Sequence, residues 1–536
     1  MGKDNRRIAA PDNCMSPNAF KKLINISNLV NEKGLRQDER TPDELRSMSL
    51  SIGITPEVTG SAYLECGNTK IICSVNGPRD ALHKSDSSTK GQLYCEFKYA
   101  SFSCTERQSY QPTEEELGIS KSIQNALEPV VMLHKFPKAR LDICILVLEN
   151  DGGAISASIT CAGAALSNAG VEMYDFPIGC SLIQCGSRVL LDPTAEEERY
   201  SKLREDFGKI TIAMMAAYNS QVIYMESYGN VKNELMHKGL KILQTSCENI
   251  LIDVRECVKQ HLLNKESVDN ITADELKLFQ PQKYITTFLE NNIRPDGRKL
   301  IEFRPVLIDV GSFATANGSA LVRLSGTSVL CGVKVELTNP TNNEPNKGFF
   351  VPNVTLTSIC SNRFTPGPPS EQAQVYTQLI MDLWKNSDFL SPEKLCILED
   401  KLAWCIFAEM ICLSYDGNIL DACVLALIAA LKNTRLPEVV INPDDNSIEV
   451  TNNTVALDLS SYVFSVTYAV IKDNVIADPS LEEETFEDTS VTIFLKEDNT
   501  TCIHSSGFVQ DDSLMHCIKC AKDRHSEMKS LIDALN

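Results

Sequence analysis

A chain of 536 residues is too long for one hydrophobic core, so two or more domains are expected. Its 43% hydrophobic and 23% charged content are typical of a globular protein, and its longest apolar run, at residues 402–413, is too short to span a membrane. The net charge of −20 argues against a free-standing RNA binder, which needs a basic surface, although a few basic residues could still line a shared channel.

The cysteines and the start of the chain indicate a reducing compartment. The 20 cysteines are scattered through apolar stretches, where they act as small buried hydrophobic residues. Cys517 and Cys520 form a Cys-x-x-Cys pair with no second pair at zinc spacing, so we interpret them as one face of a C-terminal helix. The polar N-terminus lacks the apolar stretch of a signal peptide. We therefore expect a protein of the cytosol or nucleus, without a metal site or a cofactor.

The pattern of apolar and turn residues predicts mixed α and β structure along the chain. Residues 1–30 are predicted to be a partly helical N-terminal segment. β-branched and apolar residues predict strands at residues 70–75, 141–148, 189–191, 328–335 and 475–476. Runs of small and apolar residues predict buried helices at residues 156–166 and 422–431. Residues 257–282 are polar and lose the strand pattern, with a helix start near residue 271, and are predicted to be a linker.

An internal repeat divides the chain into two copies of one domain. Several motifs recur in the same order, the first ones at a fixed offset of 258 positions (294 minus 36). These early pairs are Arg36-Gln37-Asp38-Glu39-Arg40 with Arg294-Pro295-Asp296-Gly297-Arg298, Gly60-Ser61-Ala62 with Gly318-Ser319-Ala320, and Cys73-Ser74-Val75 with Cys331-Gly332-Val333. The later pairs are Asp151-Gly152-Gly153 with Asp416-Gly417-Asn418, at offset 265, and Asp192-Pro193 with Asp478-Pro479, at offset 286. We attribute the growing offset to lengthened loops and predict domains at residues 31–256 and 283–536.

This ordered set of motifs resembles the RNase PH family, and the resemblance covers nearly the whole chain. The first half, with Leu190-Leu191-Asp192-Pro193, is similar to the mRNA-transport type of eukaryotic exosome ring subunit, exosome component six. The second half, with Arg294-Pro295-Asp296-Gly297-Arg298 and Tyr415-Asp416-Gly417-Asn418, is similar to the ribosomal-RNA-processing type, exosome component eight. The resemblance implies two tandem α+β domains of the ribosomal protein S5 domain 2-like fold, in a six-membered ring around an RNA channel.

Active members of this family cleave RNA with inorganic phosphate, which arginines hold through paired hydrogen bonds. The family's Gly-Gly-Thr-Arg motif ends here at Ile155, and the same position in the second copy is Leu420. An arginine pair found ahead of a helix in active subunits falls on Glu114 and Glu115, and the second copy also lacks arginine near that place. Each lost charge-assisted contact costs roughly 1.5–3 kcal/mol, so we expect neither copy to hold the attacking phosphate.

The carboxylates of the family's active site persist in both copies. Asp192 and Glu198 are six residues apart, and so are Asp478 and Glu484. Such a pair can hold a metal ion or manage protons near the leaving group, but acidic turns are also common on surfaces. We interpret all four as vestigial: the aspartate before proline starts a turn, and the glutamates after it form a solvated helix start. A metal-dependent hydrolytic activity stays open as an alternative.

Two groups of basic residues have a structural and a functional interpretation. The Arg-x-Asp-x-Arg motifs at Arg36 and Arg294 match active and inactive relatives alike, so we favour a structural ion-pair turn over a direct RNA contact. Lys98, Arg107 and Arg363 fall on the loop that faces the channel in the family. These three are the candidate RNA-binding residues, and a solvated surface is the alternative for each of them.

Three functional hypotheses follow. The favoured one is a non-catalytic subunit of the exosome core ring, which contacts other RNase PH-like ring subunits and S1/KH cap subunits and passes threaded RNA to an associated 3′ exonuclease in nucleus, nucleolus and cytoplasm. The second is an active phosphorolytic 3′-exoribonuclease of the polynucleotide phosphorylase type, which the missing arginines and missing KH and S1 domains disfavour. The third is a stand-alone interaction protein. No Met lies between Met236 and Met381, which favours one natural polypeptide over a joined gene model.

Overall fold

The chain divides into two compact units, which are treated separately. The N-terminal module comprises Lys22–Val268 and Ser361–Pro366, and the C-terminal module comprises Met1–Lys21, Asp269–Cys360 and Gly367–Asn536. A computed structural model describes residues 7–8, 10–11, 13–20, 35–80, 90–185, 188–202, 207–217, 220–230, 233–265, 281–341, 343–365, 367–441, 448–472, 474–497, 499–507 and 509–534.

The N-terminal module contains a five-stranded sheet in the order β1-β2-β3-β5-β4. Its strands are β1 (Met48–Ile52), β2 (Gly60–Cys66), β3 (Thr69–Asp80), β4 (Gln92–Tyr99) and β5 (Ala139–Glu149). All neighbours are antiparallel except β4 and β5, which run parallel. Helix α1 (Glu114–Leu127) packs on β4, and helix α2 (Ala154–Asn168) packs on β2 and β3. Ile71, Ile143 and Ile159 are part of the buried core between sheet and helices.

A second, antiparallel sheet of this module has the order β7-β6-β8-β9. Its strands are β6 (Pro177–Cys185), β7 (Arg188–Leu191), β8 (Phe207–Met215) and β9 (Gln221–Gly229). Helix α3 (Ala195–Lys202) follows β7, and the long helix α4 (Asn233–Lys265) packs on β6, which also contacts α2. At Gly179 a side-chain carbon would lie 2.3 Å from the main-chain oxygen of Ser156, so glycine permits this close approach of β6 to α2.

The C-terminal module repeats this arrangement. Helix α5 (Pro281–Glu290) precedes a sheet in the order β10-β11-β12-β15-β13, in which β13 and β15 are parallel and β14 pairs with β15. Its strands are β10 (Val306–Val310), β11 (Gly318–Leu324), β12 (Thr327–Thr338), β13 (Phe349–Leu356), β14 (Cys396–Leu398) and β15 (Leu402–Ser414). Helices α6 (Glu371–Ser387) and α7 (Ile419–Asn433) pack on it as α1 and α2 do on theirs.

A hairpin and a second four-stranded sheet complete the C-terminal module. The hairpin consists of β16 (Arg435–Ile441) and β17 (Ile448–Ala456), and the sheet has the order β19-β18-β20-β21. Its elements are β18 (Val463–Ile471), β19 (Asn474–Ala477), helix α8 (Leu481–Thr485), β20 (Thr489–Lys496), β21 (Asn499–Ser505) and helix α9 (Asp511–Asp533). The hairpin lies between the motif pair at offset 265 and the pair at offset 286. The prediction of loop lengthening is therefore wrong there, because the added residues form two paired strands.

The predicted strands and the two buried helices are confirmed, each longer by a few residues at its ends. The linker prediction differs from the structure, because α4 continues through Lys265 and residues 257–265 are helical. The rest of the predicted linker up to residue 280, including its helix start, lies outside the described residues, and so do residues 21–30 of the N-terminal segment. In the described part of that segment, Pro17–Phe20 form a 3-10 helix. Among the described residues, no helix is long and apolar enough to cross a membrane.

The N-terminal segment packs on the C-terminal module. Met15 and Leu337 of β12 exchange two main-chain hydrogen bonds, of 2.8 and 2.9 Å. Ile8 and Cys14 contact a buried apolar cluster that includes Val351 and Phe407. Residues 7–20 are called the N-terminal arm below. The arm thus covers part of the first sheet of the C-terminal module.

Candidate active site in each module

An aspartate follows the short strand β7 in one module and β19 in the other. Asp192 and Asp478 both adopt the left-handed backbone conformation, with φ of 49° and 51°, which Asp tolerates better than most residues. Both are buried, at 7% and 2% exposure. Their main-chain N–H groups donate to Ser181 O and Thr467 O, at 2.9 and 3.0 Å. This backbone geometry holds each carboxylate inside its module, whereas the Asp-Pro motif predicted only that the aspartate starts a turn.

In the N-terminal module, Arg46 holds the aspartate. Its Nε donates to Asp192 Oδ2 at 2.9 Å, and its Nη2 donates to Asp192 Oδ1 at 2.7 Å. The remaining N–H groups donate to Asp151 O at 2.7 Å, Gly152 O at 3.2 Å and Thr69 Oγ1 at 3.2 Å. A guanidinium has five N–H donors, so this one is fully used within the protein.

Arg304 does the same in the C-terminal module. It donates to the two oxygens of Asp478 at 2.9 and 2.8 Å, to Asp416 O at 2.7 Å and to Gly417 O at 3.4 Å. Sequence reasoning missed both arginines, although a signal existed: Arg46 and Arg304 are 258 positions apart (304 minus 46), the offset of the early repeat motifs. Each module therefore has an arginine beside its glycine turn, but that arginine is bound to protein oxygens.

The glycine turn leads into the N-terminus of α2 or α7. Gly153 and Asn418 occupy the N-cap position in the left-handed conformation, with φ of 66° and 53°. Their N–H groups donate to Glu198 Oε1 at 3.2 Å and to Glu484 Oε1 at 2.6 Å. The N-terminus of a helix attracts anions, and here a carboxylate of the chain itself takes that role.

Different groups hold the two glutamates. Lys209 Nζ lies 2.8 Å from Glu198 Oε1, whereas Tyr415 donates its hydroxyl to Glu484 Oε2 at 2.7 Å. The structure thus brings the predicted pairs Asp192 with Glu198, and Asp478 with Glu484, to the same helix N-terminus. In both modules the two carboxylates bind protein donors.

The two positions at which we expect the family's phosphate-binding arginine are apolar and packed. Ile155 lies against the buried core of the N-terminal module. Leu420 is 5% exposed, in the first turn of α7. An apolar side chain offers no hydrogen-bond donor to an anion. Ile155 and Leu420 therefore contribute apolar packing at the start of their helices.

The acidic residues at the start of α1 have a local role. Thr113 is the N-cap, and its side chain accepts from Glu116 N while Glu116 Oε2 accepts from Thr113 N, at 3.2 and 2.9 Å. Glu114 and Glu115 are exposed in the same first turn. Acidic side chains stabilise a helix N-terminus. The charge reversal seen in the sequence therefore coincides with a capped helix start.

The prediction of a solvated glutamate run is wrong for its middle residue in both modules. Glu197 is 5% exposed and lies 3.5 Å from Arg36 Nη1. Glu483 is 1% exposed and accepts from Arg294 Nε at 2.9 Å and from its Nη2. The sequence shows three consecutive glutamates but not that the helix turns the second one inward towards a distant arginine.

Arg36 and Arg294 are completely buried, in line with a structural interpretation. Arg36 donates to Leu191 O at 2.5 Å and to Pro42 O at 2.6 Å. Arg294 donates to Ala477 O at 2.7 Å and Asp478 O at 2.9 Å. Both arginines join the beginning of a repeat copy to its Asp-Pro turn.

The electrostatics of the turn favour an ionised, paired aspartate. Burial raises the pKa of Asp192, but the hydrogen bonds and charge of Arg46 outweigh burial, and the net pKa is lowered. Burial also raises the pKa of Asp478, but the hydrogen bonds and charge of Arg304 outweigh burial and lower it well below its usual range. Within the described part of the chain, no group of three or more His, Cys, Asp or Glu side chains is placed to hold a metal ion.

The candidate RNA-binding residues lie in different settings. Lys98 is in strand β4, so its expected position on a loop is wrong. Arg107 lies between β4 and α1, partly exposed, and Arg363 lies between β13 and α6 and is exposed. The two loops occupy corresponding places in the two copies. The segment Ser361–Pro366, which contains Arg363, belongs to the N-terminal module.

Comparison with known proteins identifies the family. The family described as "3′ exoribonuclease family, domain 1" matches residues 44–172 and 302–437, and "3′ exoribonuclease family, domain 2" matches residues 461–524. The exosome complex component rrp43 of Schizosaccharomyces pombe is 37% identical over 259 residues, which are 48% of this chain and 96% of that relative. The exosome complex component Rrp42 of Pyrococcus furiosus is 33% identical over 265 residues, 49% of this chain and 96% of that relative.

Two solved structures are also similar. The Archaeoglobus fulgidus exosome with RNA bound to the active site has 30% identity and a TM-score of 0.43, over 49% of this chain and 99% of that one. Rice (Oryza sativa) Rrp46 has 19% identity and a TM-score of 0.38, over 42% of this chain and all of that one. The two curated relatives each correspond to about half of this protein, the domain 1 match recurs in both halves, and the domain 2 match lies in the second half. The chain therefore belongs to the 3′ exoribonuclease family and carries two RNase PH-like units in tandem.

Proposed function

We propose that this chain is a non-catalytic structural subunit of the RNA exosome core ring, which supports 3′-to-5′ RNA processing and degradation by an associated exonuclease. The proposal rests on the side chains at positions 155 and 420, where we expect phosphate-binding arginines in active relatives, and on the arginines nearby. Ile155 and Leu420 stand where we expect the family's arginine, and the nearby guanidinium groups of Arg46 and Arg304 are bound to aspartate and main-chain oxygens. Attacking phosphate would have to displace a buried carboxylate from its arginine, which is costly.

Under this proposal Asp192, Glu198, Asp478 and Glu484 are vestigial as catalytic groups and act as structural ones. Their partners in the protein support this, because each carboxylate accepts from an arginine or from a helix N-cap. The opposing hypothesis, a phosphorolytic enzyme of the polynucleotide phosphorylase type, draws on the persistence of these four side chains.

A phosphorolysis assay separates the two hypotheses. The purified chain is incubated with single-stranded RNA, Mg²⁺ and inorganic phosphate, and nucleoside diphosphates are quantified by chromatography. We expect no release above that of a protein-free sample, because no group holds the attacking anion. Release that requires phosphate and is lost in the Glu198→Ala/Glu484→Ala variant would establish the enzyme instead.

The proposed partners are other RNase PH-like ring subunits, S1/KH cap subunits, a 3′ exonuclease and the RNA threaded through the channel, in the nucleus, the nucleolus and the cytoplasm. The relatives named above are exosome components, which supports this assignment. Affinity purification of the tagged chain from its own cells tests it. We expect those classes of protein in the eluate, whereas recovery of the chain alone contradicts the proposal and favours a stand-alone protein.

We further propose that Arg107, Arg363 and Lys98 contact RNA in the assembled ring. Arg363 is exposed and Arg107 is partly exposed, and both lie on corresponding loops, which supports an RNA contact for these two arginines. Binding of single-stranded RNA to the purified complex is measured over a range of salt concentrations. Each phosphate contact removed, for example by Arg363→Ala, should lower the slope of log K against log salt by about 0.7. An unchanged slope would assign these residues to the solvated surface.

For the domain organisation we propose two RNase PH-like domains that correspond to the predicted residues 31–256 and 283–536, after the N-terminal segment 1–30, with the start of the predicted linker 257–282 moved to residue 266. The repeat of sheet order and helix placement in the two modules supports two domains of one type. The helical state of residues 257–265 favours a linker that begins after Lys265. Limited proteolysis with mass spectrometry should cut first between residues 266 and 280, and cuts inside α4 would contradict these boundaries.

A further inference from the structure

A cavity of about 270 Å³ lies in the N-terminal module, where α2, β6 and α4 meet. Its polar lining includes Asp192, Ser156, Ser181 and, on α4, Asp253, and it also borders Gly153. The cavity borders the Arg46–Asp192 pair. Its lining does not include Ile155 or the loop residues Arg107 and Arg363. The residues at the corresponding positions of the C-terminal module indicate which chemical groups fit this cavity.

In the C-terminal module, larger polar side chains fill the corresponding space. Asn418, Asp421 and Thr467 stand at the positions of Gly153, Ser156 and Ser181, at offsets of 265, 265 and 286. The amide of Asn418 donates to Asp478 Oδ1 at 2.6 Å and to Asp421 Oδ2 at 2.9 Å. Asp421 also accepts from Thr467 N at 2.8 Å and Thr467 Oγ1 at 3.0 Å. A carboxamide and a carboxylate therefore connect the aspartate to the strand.

Three neighbouring positions follow the same trend. Leu45 and Cys66 line the cavity, whereas Phe303 and Leu324 stand at the positions 258 residues later. Gly179 lines the cavity, and Ser465 stands 286 residues later. At these three positions the N-terminal module has the smaller residue of the pair, whereas Met48 and Leu64 are larger than Val306 and Val322, which stand 258 positions later. Side chains of the other copy thus occupy the polar part of this space, next to the aspartate.

The smaller residues leave a hydrogen-bond acceptor and a donor facing the cavity. Asp192 Oδ1 accepts from Arg46 Nη2 at 2.7 Å, and the matching Asp478 Oδ1 accepts from Arg304 and also from an amide. Ser181 O accepts from Asp192 N, and the N–H of a strand residue points to the same side as its C=O. The N–H of Ser181 therefore faces the space where Asp421 accepts in the other copy. The hydroxyl of Ser156 donates instead to Gly153 O at 2.8 Å.

We propose that this cavity is a binding site for a small planar molecule that carries a primary carboxamide. Its NH₂ group donates to Asp192 Oδ1, its carbonyl oxygen accepts from Ser181 N–H, and its ring packs on Met48, Leu64 and Ile250, which also line the cavity. A carboxylate in this place would face the ionised Asp192. A purely apolar molecule would leave the Ser181 N–H without a partner and would give Asp192 Oδ1 no donor besides Arg46.

Binding of benzamide to the full-length protein tests the proposal, by isothermal titration with benzoate and toluene as comparison compounds. We expect one saturable benzamide site per chain, with benzoate and toluene at least tenfold weaker. Absence of saturable benzamide binding overturns the proposal. Equal affinity for toluene also overturns it, because the polar pair would then play no part.

A double variant imports the residues of the other copy. Gly153→Asn/Ser156→Asp fills the cavity, and Asn tolerates the left-handed conformation of position 153 as Asn418 does. Benzamide affinity should fall at least tenfold, and unchanged affinity contradicts the proposal. The matched control is Gly170→Asn/Ser167→Asp at the other end of α2, where Gly170 has φ of +70° and nothing within 4 Å of an added side-chain carbon. This control should bind benzamide like the unmodified chain.

A crystal of the unmodified chain soaked with 4-bromobenzamide gives an answer that is independent of how the variants fold. The proposal expects an anomalous bromine peak among Met48, Leu64 and Ile250, with the amide between Asp192 and Ser181. A peak at another place, or no peak, overturns the assignment of this site.

Discussion

Buried guanidinium groups hold the Asp-Pro turn of each module from two sides. Arg294 binds the main-chain oxygens before Pro479 and the carboxylate of Glu483, and Arg304 binds the carboxylate of Asp478. Arg36 and Arg46 repeat this division of roles in the N-terminal module. Removing one partner of a buried ion pair leaves the other charge without compensation, which costs more than the pair itself contributes.

Arg294→Ala is therefore expected to destabilise the chain severely. Glu483, at 1% exposure, would keep a buried charge without its cation, and the free energy of unfolding should fall by about 3–5 kcal/mol. Chemical denaturation followed by circular dichroism measures it. Arg363→Ala removes an exposed arginine and serves as the control, with an expected change within about 0.5 kcal/mol. Equal effects of the two substitutions would disprove the structural role of Arg294.

Glu487 gives a prediction about pH. Burial, and then the charge of Glu484, raise its pKa to about 7. The unfolded chain loses this proton near pH 4.3, so between about pH 4.3 and 7 the folded state binds the extra proton and stability falls as pH rises. The Glu487→Gln variant has no carboxyl group to titrate at this position, so this loss of stability with rising pH should be absent. Allowing for solvent screening of a partly exposed group, the variant should be about 1 kcal/mol more stable than the unmodified chain at pH 8.

The two stabilities should converge at about pH 4, where Glu487 is protonated in both states. Urea titrations at several pH values measure the difference. Curves for the variant and the unmodified chain that stay parallel from pH 4 to pH 8 would show that Glu487 titrates at an ordinary pKa.

Single residues also show where sequence reasoning ends. The Asp-Pro and Gly-Gly turns could be predicted, because turn chemistry is local. The partner of Asp192 could not be found locally, because Arg46 lies 146 positions away (192 minus 46) and only the folded topology brings them together. The same reason explains why Glu197 and Glu483 were expected to be solvated.

At the level of elements, α1 is joined to β4 through one buried glutamate. Glu116 is 2% exposed, and its Oε1 accepts from Tyr99 N at 2.9 Å while its Oε2 accepts from Thr113 N at 2.9 Å. Thr113 completes the capping box. One side chain thus satisfies donors at the end of a strand and at the start of the next helix, and so fixes the end of the loop that carries Arg107.

Substitutions in this cap should lower the free energy of unfolding by different amounts. Thr113→Ala should lower the free energy of unfolding by about 1 kcal/mol, the usual cost of a lost N-cap. Glu116→Ala leaves two donors without an acceptor and should cost about 2–3 kcal/mol. Glu115→Ala, on an exposed residue of the same turn, is the control. A Glu116→Ala effect no larger than that of Glu115→Ala would contradict this account.

Elements whose apolar residues form a continuous or alternating run could be predicted from the sequence, and elements without such a run could not. The small-residue helices α2 and α7 are buried on several sides, so nearly every residue is apolar or small and the pattern is clear. Helix α1 carries five buried residues among exposed charges, and its position was not predicted. The sequence predicts loop lengthening at the hairpin β16–β17, because its polar residues and the polar sequence between its strands resemble a loop.

For the whole molecule, the repeat explains most of the architecture, and the N-terminal arm departs from it. Residues 7–20 precede the first repeat copy in sequence but pack on the module of the second. The main-chain hydrogen bonds of Met15 with Leu337 extend the sheet at β12. No sequence signal pointed to this arrangement, because an isolated pair of main-chain hydrogen bonds requires no particular side chain.

Met15→Pro should release the arm, because proline lacks the N–H that donates to Leu337 O. Hydrogen exchange with mass spectrometry or NMR then should show the Leu337 amide exchanging at least tenfold faster. Met15→Ala keeps the N–H and replaces a side chain that is 46% exposed, so its exchange should match that of the unmodified chain. The Ile145 amide in β5 should be unaffected in both. Unchanged Leu337 exchange in Met15→Pro would show that the arm does not depend on this bridge.

The arm also has a consequence for synthesis on the ribosome. Met15 is translated long before Leu337 and Phe407, the residues that it and its neighbours pack against. At roughly 5–20 residues per second, this delay is on the order of tens of seconds. During that time the apolar side chains of Ile8 and Cys14 have no folded surface to cover them and are accessible to chaperones. Docking of the arm is therefore one of the last steps in maturation, and it can occur only after β15 has emerged and paired.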